Sequence, residues 1–542
     1  MAKSYFDSQD FKKILQAYEE QAGQHKSIYL DADDFADIAD YYLSVNRPNR
    51  AMEAIEMGLG MHPDDESLLI VKGATHIYEH EFDLAEEVLQ ALDPGIPDVM
   101  YQKAQLQYTK YLDLPKAEQI WREWMRLDEN GKPSLQKQRE DYIHIISSLA
   151  ELRDEDEIED EALKGESRKA VQKWIHEYID TFSPLGKYEE DAQLADICKD
   201  NNLPELLCDV LTQVLEEQPY LPQGWTNLAV GHHVLKHYEQ ALEACDFALA
   251  VDPNDLQALL TKAHATNGLD DKQGAKVLFK DYLDRGGDII QIIPYAEMLF
   301  FTGEKEEALR QLERLEKVLD KRRVESEARF EAVKKYHSSE KERVAIETMF
   351  FNEGRQLYTK AYIDIGELCH NHGCYQESIA CNKKVLEVNP ENADAYFMIG
   401  INQLSLNHYE TASRNFSLAL QYSKDQVMMG VDIALTFVLN GFETFALEVL
   451  DAISKIASQS DSRFVKNIPA AKSLTYLKLG HSDLFLENFR EACAKTPRLV
   501  RNVYDGYFPK ELPVAEWSAY VEKDLDAFVK KFKKESPNIK GK

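Results

Sequence analysis

The 542-residue chain has no apolar run approaching the roughly 18 residues that a membrane-spanning helix requires, so no span is expected. Strand-like alternation is nearly absent, which removes most nucleotide-binding scaffolds. The spaced residues of recognisable catalytic sites are missing too: there is no HExxH, GxSxG, P-loop GxxxxGK[ST], GxGxxG after a strand or EF-hand loop. Neither catalysis nor a cofactor is therefore expected. Prolines (18) and glycines (24) are too few for a disordered or collagen-like chain. Positive charge is also short, with 63 Lys and Arg against 95 Asp and Glu, a net charge of −32. That balance argues against a general nucleic-acid binder and against attraction to anionic lipid, because both rest on cationic surface. It suits the solubility of a long molecule, or a basic partner. The seven cysteines, an odd number at mostly helical core spacing, read as reduced buried thiols. The opening MAKSYFDSQDFKKILQAYEE enters an amphipathic pattern with no apolar h-region, so a cytoplasmic protein is expected.

What the chain does have is a period. The stretch Pro222 to Asp255 reads as two short amphipathic helices. Trp225, Leu228, Ala229 and His232 mark a face of the first, and Tyr238, Ala241, Cys245 and Ala248 a face of the second. Pro253 closes the unit by removing a donor and restricting the residue before it. The same pattern recurs from 32, 66 and 98, again from 188, 256 and 289, and in a second block from 359, 393, 427 and 466. Prolines 63, 219, 253, 390 and 497 fall at the closing position. Each helix pair has too little buried surface to be stable alone, so neighbouring pairs must share a core.

This spacing resembles the tetratricopeptide repeat (TPR), a helix–turn–helix of about 34 residues. The expected fold is all-α, an α-solenoid of stacked helix–turn–helix repeats, and the resemblance implies a right-handed superhelix whose concave wall is lined by first helices. The organisation expected is a capping helix in 1–31, repeats in 32–130, an enlarged irregular repeat in 131–187, repeats in 188–320, a charged long-helix segment or hinge in 321–358, repeats in 359–497, and a capping helix with a basic tail in 498–542. The run 154–161 (DEDEIEDE) reads as a solvated acidic insertion. The final cap is expected as one helix over about 514–533.

The resemblance also implies where partners bind: on the first helix, at the second, fifth, ninth and twelfth positions of each repeat. In the unit from 222 these include Gln223, Thr226 and His233, and in the next Gln257, His264 and Asn267. In the second block they include Lys360, Glu367 and His370, then Asp394 and Phe397. The mixture of apolar and polar groups suits an extended or helical peptide. Some members of the family use Lys and Asn here, with a later Lys and Arg, to clamp the C-terminal carboxylate of chaperones. This chain does not match that pattern. The cluster Cys369-His370-Asn371-His372-Gly373-Cys374 packs possible metal ligands together, but it falls on a repeat turn with no second ligand pair, so no metal is expected. The role expected is a non-catalytic scaffold or adaptor for protein or peptide partners. The alternative is a ligand-responsive regulator whose array changes curvature, pivoting near 321–358.

Overall fold

The computed structural model describes residue 6 and residues 8–22, 30–126, 134–151, 161–221, 223–334, 340–457, 462–504, 506–509 and 511–535. Among the described residues it contains helices and no strand. It divides into two compact units, Met1–Leu269 and Asp270–Lys542.

In the first unit, α1 (Gln9–Ala22) precedes the paired helices α2 (Ala32–Ser44) and α3 (Pro48–Met61), α4 (Glu66–Tyr78) and α5 (Phe82–Gln90), and α6 (Pro97–Thr109) and α7 (Leu114–Trp124). Then come α8 (Leu135–Glu151) with α9 (Glu161–Phe182), α10 (Glu189–Asp200) with α11 (Pro204–Glu217), α12 (Gly224–Val234) with α13 (Tyr238–Val251), and α14 (Leu256–Gly268). In the second unit α15 (Lys272–Asp284) is followed by α16 (Ile292–Phe301) with α17 (Lys305–Lys334), α18 (Glu340–Asn371) with α19 (Tyr375–Val388), and α20 (Ala393–Ser405) with α21 (Tyr409–Tyr422). The pairs α22 (Gln426–Leu439) with α23 (Glu443–Ala457) and α24 (Ile468–Leu479) with α25 (Ser482–Lys495) lead to α26 (Pro497–Val503), α27 (Trp517–Lys523) and α28 (Leu525–Glu535).

The local chemistry of each pair is repetitive. Four first helices begin at a side-chain cap that satisfies an orphan N–H: Asp65 accepts from Leu68 N, Asp255 from Ala258 N, Asn392 from Ala395 N and Asp425 from Met428 N. The turn into the second helix passes through one left-handed residue, at Asn46, His80, Lys236, Gly303, Gly373, Asn407 and Gly441. Glycine takes this conformation freely, and the Asn, His and Lys examples show that the packed pair also holds it against a modest backbone penalty. Small residues bring the helices together, with Ala229 and Ala241 fully buried. Aromatic side chains fill the space between successive pairs: a methyl group on Gly268 would meet the Tyr238 ring at 2.6 Å. Prolines 63, 219, 253 and 390 lie in the closing turns, whereas Pro497 opens the further helix α26.

Both ends are covered. Phe11 and Tyr18 of α1 are buried against the first pair, Tyr18 lying edge-on to Phe35 at 6.2 Å. At the other end Phe508 stacks on Trp517 at 4.0 Å and Phe485 on Phe528 at 6.0 Å. The final cap is not the single helix expected. It breaks at Asp524, which leaves helical geometry and caps α28 by accepting from Ala527 N. Its apolar residues keep a helical spacing across the break, which is why the pattern reads as continuous.

The two irregular stretches have different origins. In 131–187, α8 packs against α9, while residues 131–133 and 152–160, which include 154–160 of the acidic run, lie outside the described residues. The 321–358 stretch lies inside the second unit; residues 335–339 lie outside the described residues, and the rest belongs to α17 and α18, the second helix of one pair and the first of the next, of 30 and 32 residues. Their bases are tied by Asp320, which accepts from Tyr358 Oη at 2.8 Å, Tyr362 Oη at 3.1 Å and Lys384 Nζ at 3.3 Å.

Candidate interaction surface

Within each unit the helix pairs converge on one side. First helices touch the first helices of neighbouring pairs: α2 with α4, α4 with α6, α8 with α10 and α12 with α14, then α16 with α18, α18 with α20 and α22 with α24. Successive second helices make no comparable contact. The first helices therefore form the inner wall of each unit, and what their outward faces carry is what a partner in the groove would meet.

The expected residues fall into three groups on this wall. Gln257, Lys360, Glu367 and Asp394 are exposed, and none makes a side-chain hydrogen bond or ion pair among the described residues. His233, His264, Asn267 and Phe397 are half-buried, with the His233 ring 5.9 Å from both His264 and Tyr238, and Phe397 6.0 Å from Phe416. Burial holds the His233 imidazole below its ordinary pKa, because desolvation disfavours the cation. Two residues do not belong to a binding face as expected. Thr226 is 4% exposed and donates its hydroxyl to Asp255, the cap of α14, so it is an internal strut. Gln223 precedes the helix, in a left-handed conformation at φ +58°, and is exposed at its N-terminus.

His370 is half-buried and bound from below. Its Nδ1 lies 2.9 Å from Oδ1 of Asn402, itself fully buried on α20. Asn402 in turn donates to Ser378 Oγ at 2.9 Å and Met398 O at 2.7 Å, and Ser378 donates to Gly366 O at 2.6 Å. The rest of the Cys369–Cys374 cluster diverges at the turn. Cys369 and Cys374 are buried thiols, Cys369 pushed up to about 12 by burial, and His372 stacks on Phe300 at 4.5 Å. Upstream, His232 Nδ1 lies 3.7 Å from Cys208 Sγ.

Other inner-wall residues were not singled out by the sequence. In the first unit Asp40 is half-buried and pushed up to about 6, first by desolvation, then by the carboxylates of Asp37 and Asp98. His144 on α8 is held low by desolvation and by Lys137. In the second unit Asp432 keeps a face to solvent, yet desolvation and the neighbouring Asp394 push it up to about 6. For both aspartates, desolvation by the packed helices is the largest cause and a neighbouring carboxylate adds to it. Counting the second and ninth positions from Ala32 would have found Asp33 and Asp40. Asp432 sits off that count, and only the packed helices reveal it.

No protein-family model matches the chain, and no curated protein matches it. Among solved structures it is similar to YrrB, described as a TPR protein with an unusual peptide-binding site, at 18% identity over 41% of this chain and 96% of that one, with a TM-score of 0.28. It is also similar to the APC/C hetero-tetramer Cut9–Hcn1, at 12% identity over 92% of this chain and 94% of that one, with a TM-score of 0.28. A tetratricopeptide repeat protein from Parabacteroides merdae is 12% identical over 56% of this chain and 99% of that one, with a TM-score of 0.31. Superposition at this level says nothing of a partner. The all-α, TPR-like repeat architecture stands on the helix pairs themselves.

Proposed function

We propose that this protein is a non-catalytic interaction scaffold whose first-helix walls hold peptide or protein partners. The observation that carries this reading is the division of labour along those helices. Small and apolar side chains are consumed in packing, while Gln257, Lys360, Glu367 and Asp394 project from the same helices with no hydrogen bond or ion pair among the described residues. A wall of regularly spaced, uncommitted side chains with apolar residues between them suits an extended or helical ligand.

Photo-crosslinking in the native cell tests this. A crosslinking amino acid at Glu367 or Asp394 should capture discrete proteins that the same group at Asp483 or Glu487, exposed on the second helix α25, does not. Identical capture from both faces, or none from the inner wall, refutes it.

A further inference from the structure

In the second unit the first helices α18, α20 and α22 offer almost only acceptors. Glu367, Asp394 and Asp432 are exposed carboxylates, while Phe397 and Ile401 between them are half-buried. Lys360 is the single cation at the wall positions from 360 to 404, and it stands about two turns from Glu367. The hydrogen-bond chain beneath His370 extends this set. Both Asn402 donors are spent on Ser378 Oγ and Met398 O, so its Oδ1 accepts, and Nδ1 of His370 must carry the proton. In the neutral ring that leaves Nε2, on the opposite edge, as an acceptor with no partner among the described residues.

We infer, resting on the scaffold reading above, that this wall receives a basic amphipathic segment of a protein partner. Its apolar side chains lie over Phe397 and Ile401, and its donors reach Glu367, Asp394, Asp432 and Nε2 of His370. The case is charge complementarity on an unpartnered helix face: the carboxylates of Asp394 and Asp432 repel one another, and a Lys or Arg between them removes that repulsion. An acidic segment would meet like charge at three positions. The buried Ser378–Asn402 network fixes the tautomer, so His370 discriminates a donor from an acceptor at its position.

The test uses the full-length chain and three labelled synthetic peptides, alternating Leu with Lys, Ser or Glu, followed by fluorescence anisotropy at pH 7.5 and 150 mM salt. The Lys peptide should bind tightest, and Asp394→Asn with Asp432→Asn should weaken it about tenfold. The charge-matched pair Asp483→Asn with Glu487→Gln, on α25, should change it less than about twofold. His370→Phe should weaken the Lys peptide while His370→Gln, which keeps an acceptor, restores most of the binding. Thermal unfolding of each variant confirms that the wall is intact. Equal loss from both acidic pairs means that the peptide senses only the net charge of −32, and the inference fails. If all three peptides bind alike and all are weakened by Phe397→Ser, the wall binds partners without selecting charge: the inference falls and the scaffold reading stands. If no peptide binds, both fall for this wall.

Discussion

Replacing Asp191 should damage the first unit more than any change on its surface. Asp191 is fully buried at the start of α10 and receives four donors: Tyr178 Oη at 2.6 Å, Gly186 N at 2.8 Å, Tyr188 N at 3.3 Å and Arg139 Nε at 3.3 Å. Arg139, on α8 and 5% exposed, also donates through Nη2 to Phe182 O at 3.3 Å. Its guanidinium lies 4.4 Å from the Phe182 ring centre and 4.1 Å from that of Tyr188. Asp191→Ala leaves that cation buried without a counter-charge and strands three further donors. Removing one partner of a buried pair costs about 3–5 kcal/mol, because desolvation of the survivor is no longer offset. Tyr178→Phe removes one charge-assisted bond and leaves the pair intact, so it should cost less, about 1.5–3 kcal/mol. The double change Arg139→Met with Asp191→Leu should cost less than Asp191→Ala, since neither charge is then stranded. Because a repeat array is held by neighbour contacts, the loss should be local. Hydrogen exchange should show protection falling across 135–200 first, with urea unfolding giving the magnitude. A cost below about 1 kcal/mol for Asp191→Ala, or uniform loss of protection along the chain, would refute the reasoning.

Three further outcomes follow from the same kind of contact. Burial alone would push Asp320 up, but bonds from Tyr358, Tyr362 and Lys384 together hold it below the usual carboxylate range. Its folded pKa is thus below the unfolded value of about 3.9, so the stability it contributes is present above that pH and is lost as pH falls through the folded pKa. Unfolding midpoints of the wild type and Asp320→Asn should therefore converge in acid and separate above about pH 4. Asp40 has the opposite sign: at about 6 its folded pKa lies above the unfolded value, so its charge opposes folding at neutral pH and protonation relieves it. Asp40→Asn should raise the midpoint at pH 7.5 and change it little at pH 4, measured by thermal scans at both. Gly430→Ala should destabilise by about 1–3 kcal/mol, since the added methyl would lie 2.3 Å from Ile453 Cγ2; a neutral result in urea unfolding would show that α22 and α23 can separate at little cost.

Much of the fold is legible in the sequence because each helix pair encodes itself locally. Ala229 and Ala241 pack at the pair interface as their spacing predicts, Pro253 ends the unit, and Trp225 fills space beside it, stacked on Phe247 at 4.6 Å. Phe11 and Tyr18 on α1 are buried, as their helical spacing predicts. Where the fold departs from expectation, apolar spacing is intact and a backbone feature intervenes, as at Asp524. The 321–358 stretch reads as charged and long in sequence. Its described residues belong to two long helices, Lys305–Lys334 and Glu340–Asn371.

The interaction surface is less legible, and the reason is the distance over which partners are chosen. Periodicity by itself separated the packing positions of each helix from the rest, because that depends only on residues three and four apart. Which side chains on that face are free was decided by the tertiary structure. Thr226 looks available until Asp255, 29 residues on, takes its hydroxyl. His370 keeps only Nε2 without a partner among the described residues, because Asn402, 32 residues on, meets its Nδ1. Asp191 and Arg139 are 52 residues apart, and Arg139 lies in the stretch where the repeat lapses, so no local pattern pairs them. The sequence determined a scaffold of stacked helix pairs. Hydrogen bonds between non-adjacent helices decided what that scaffold presents to a partner.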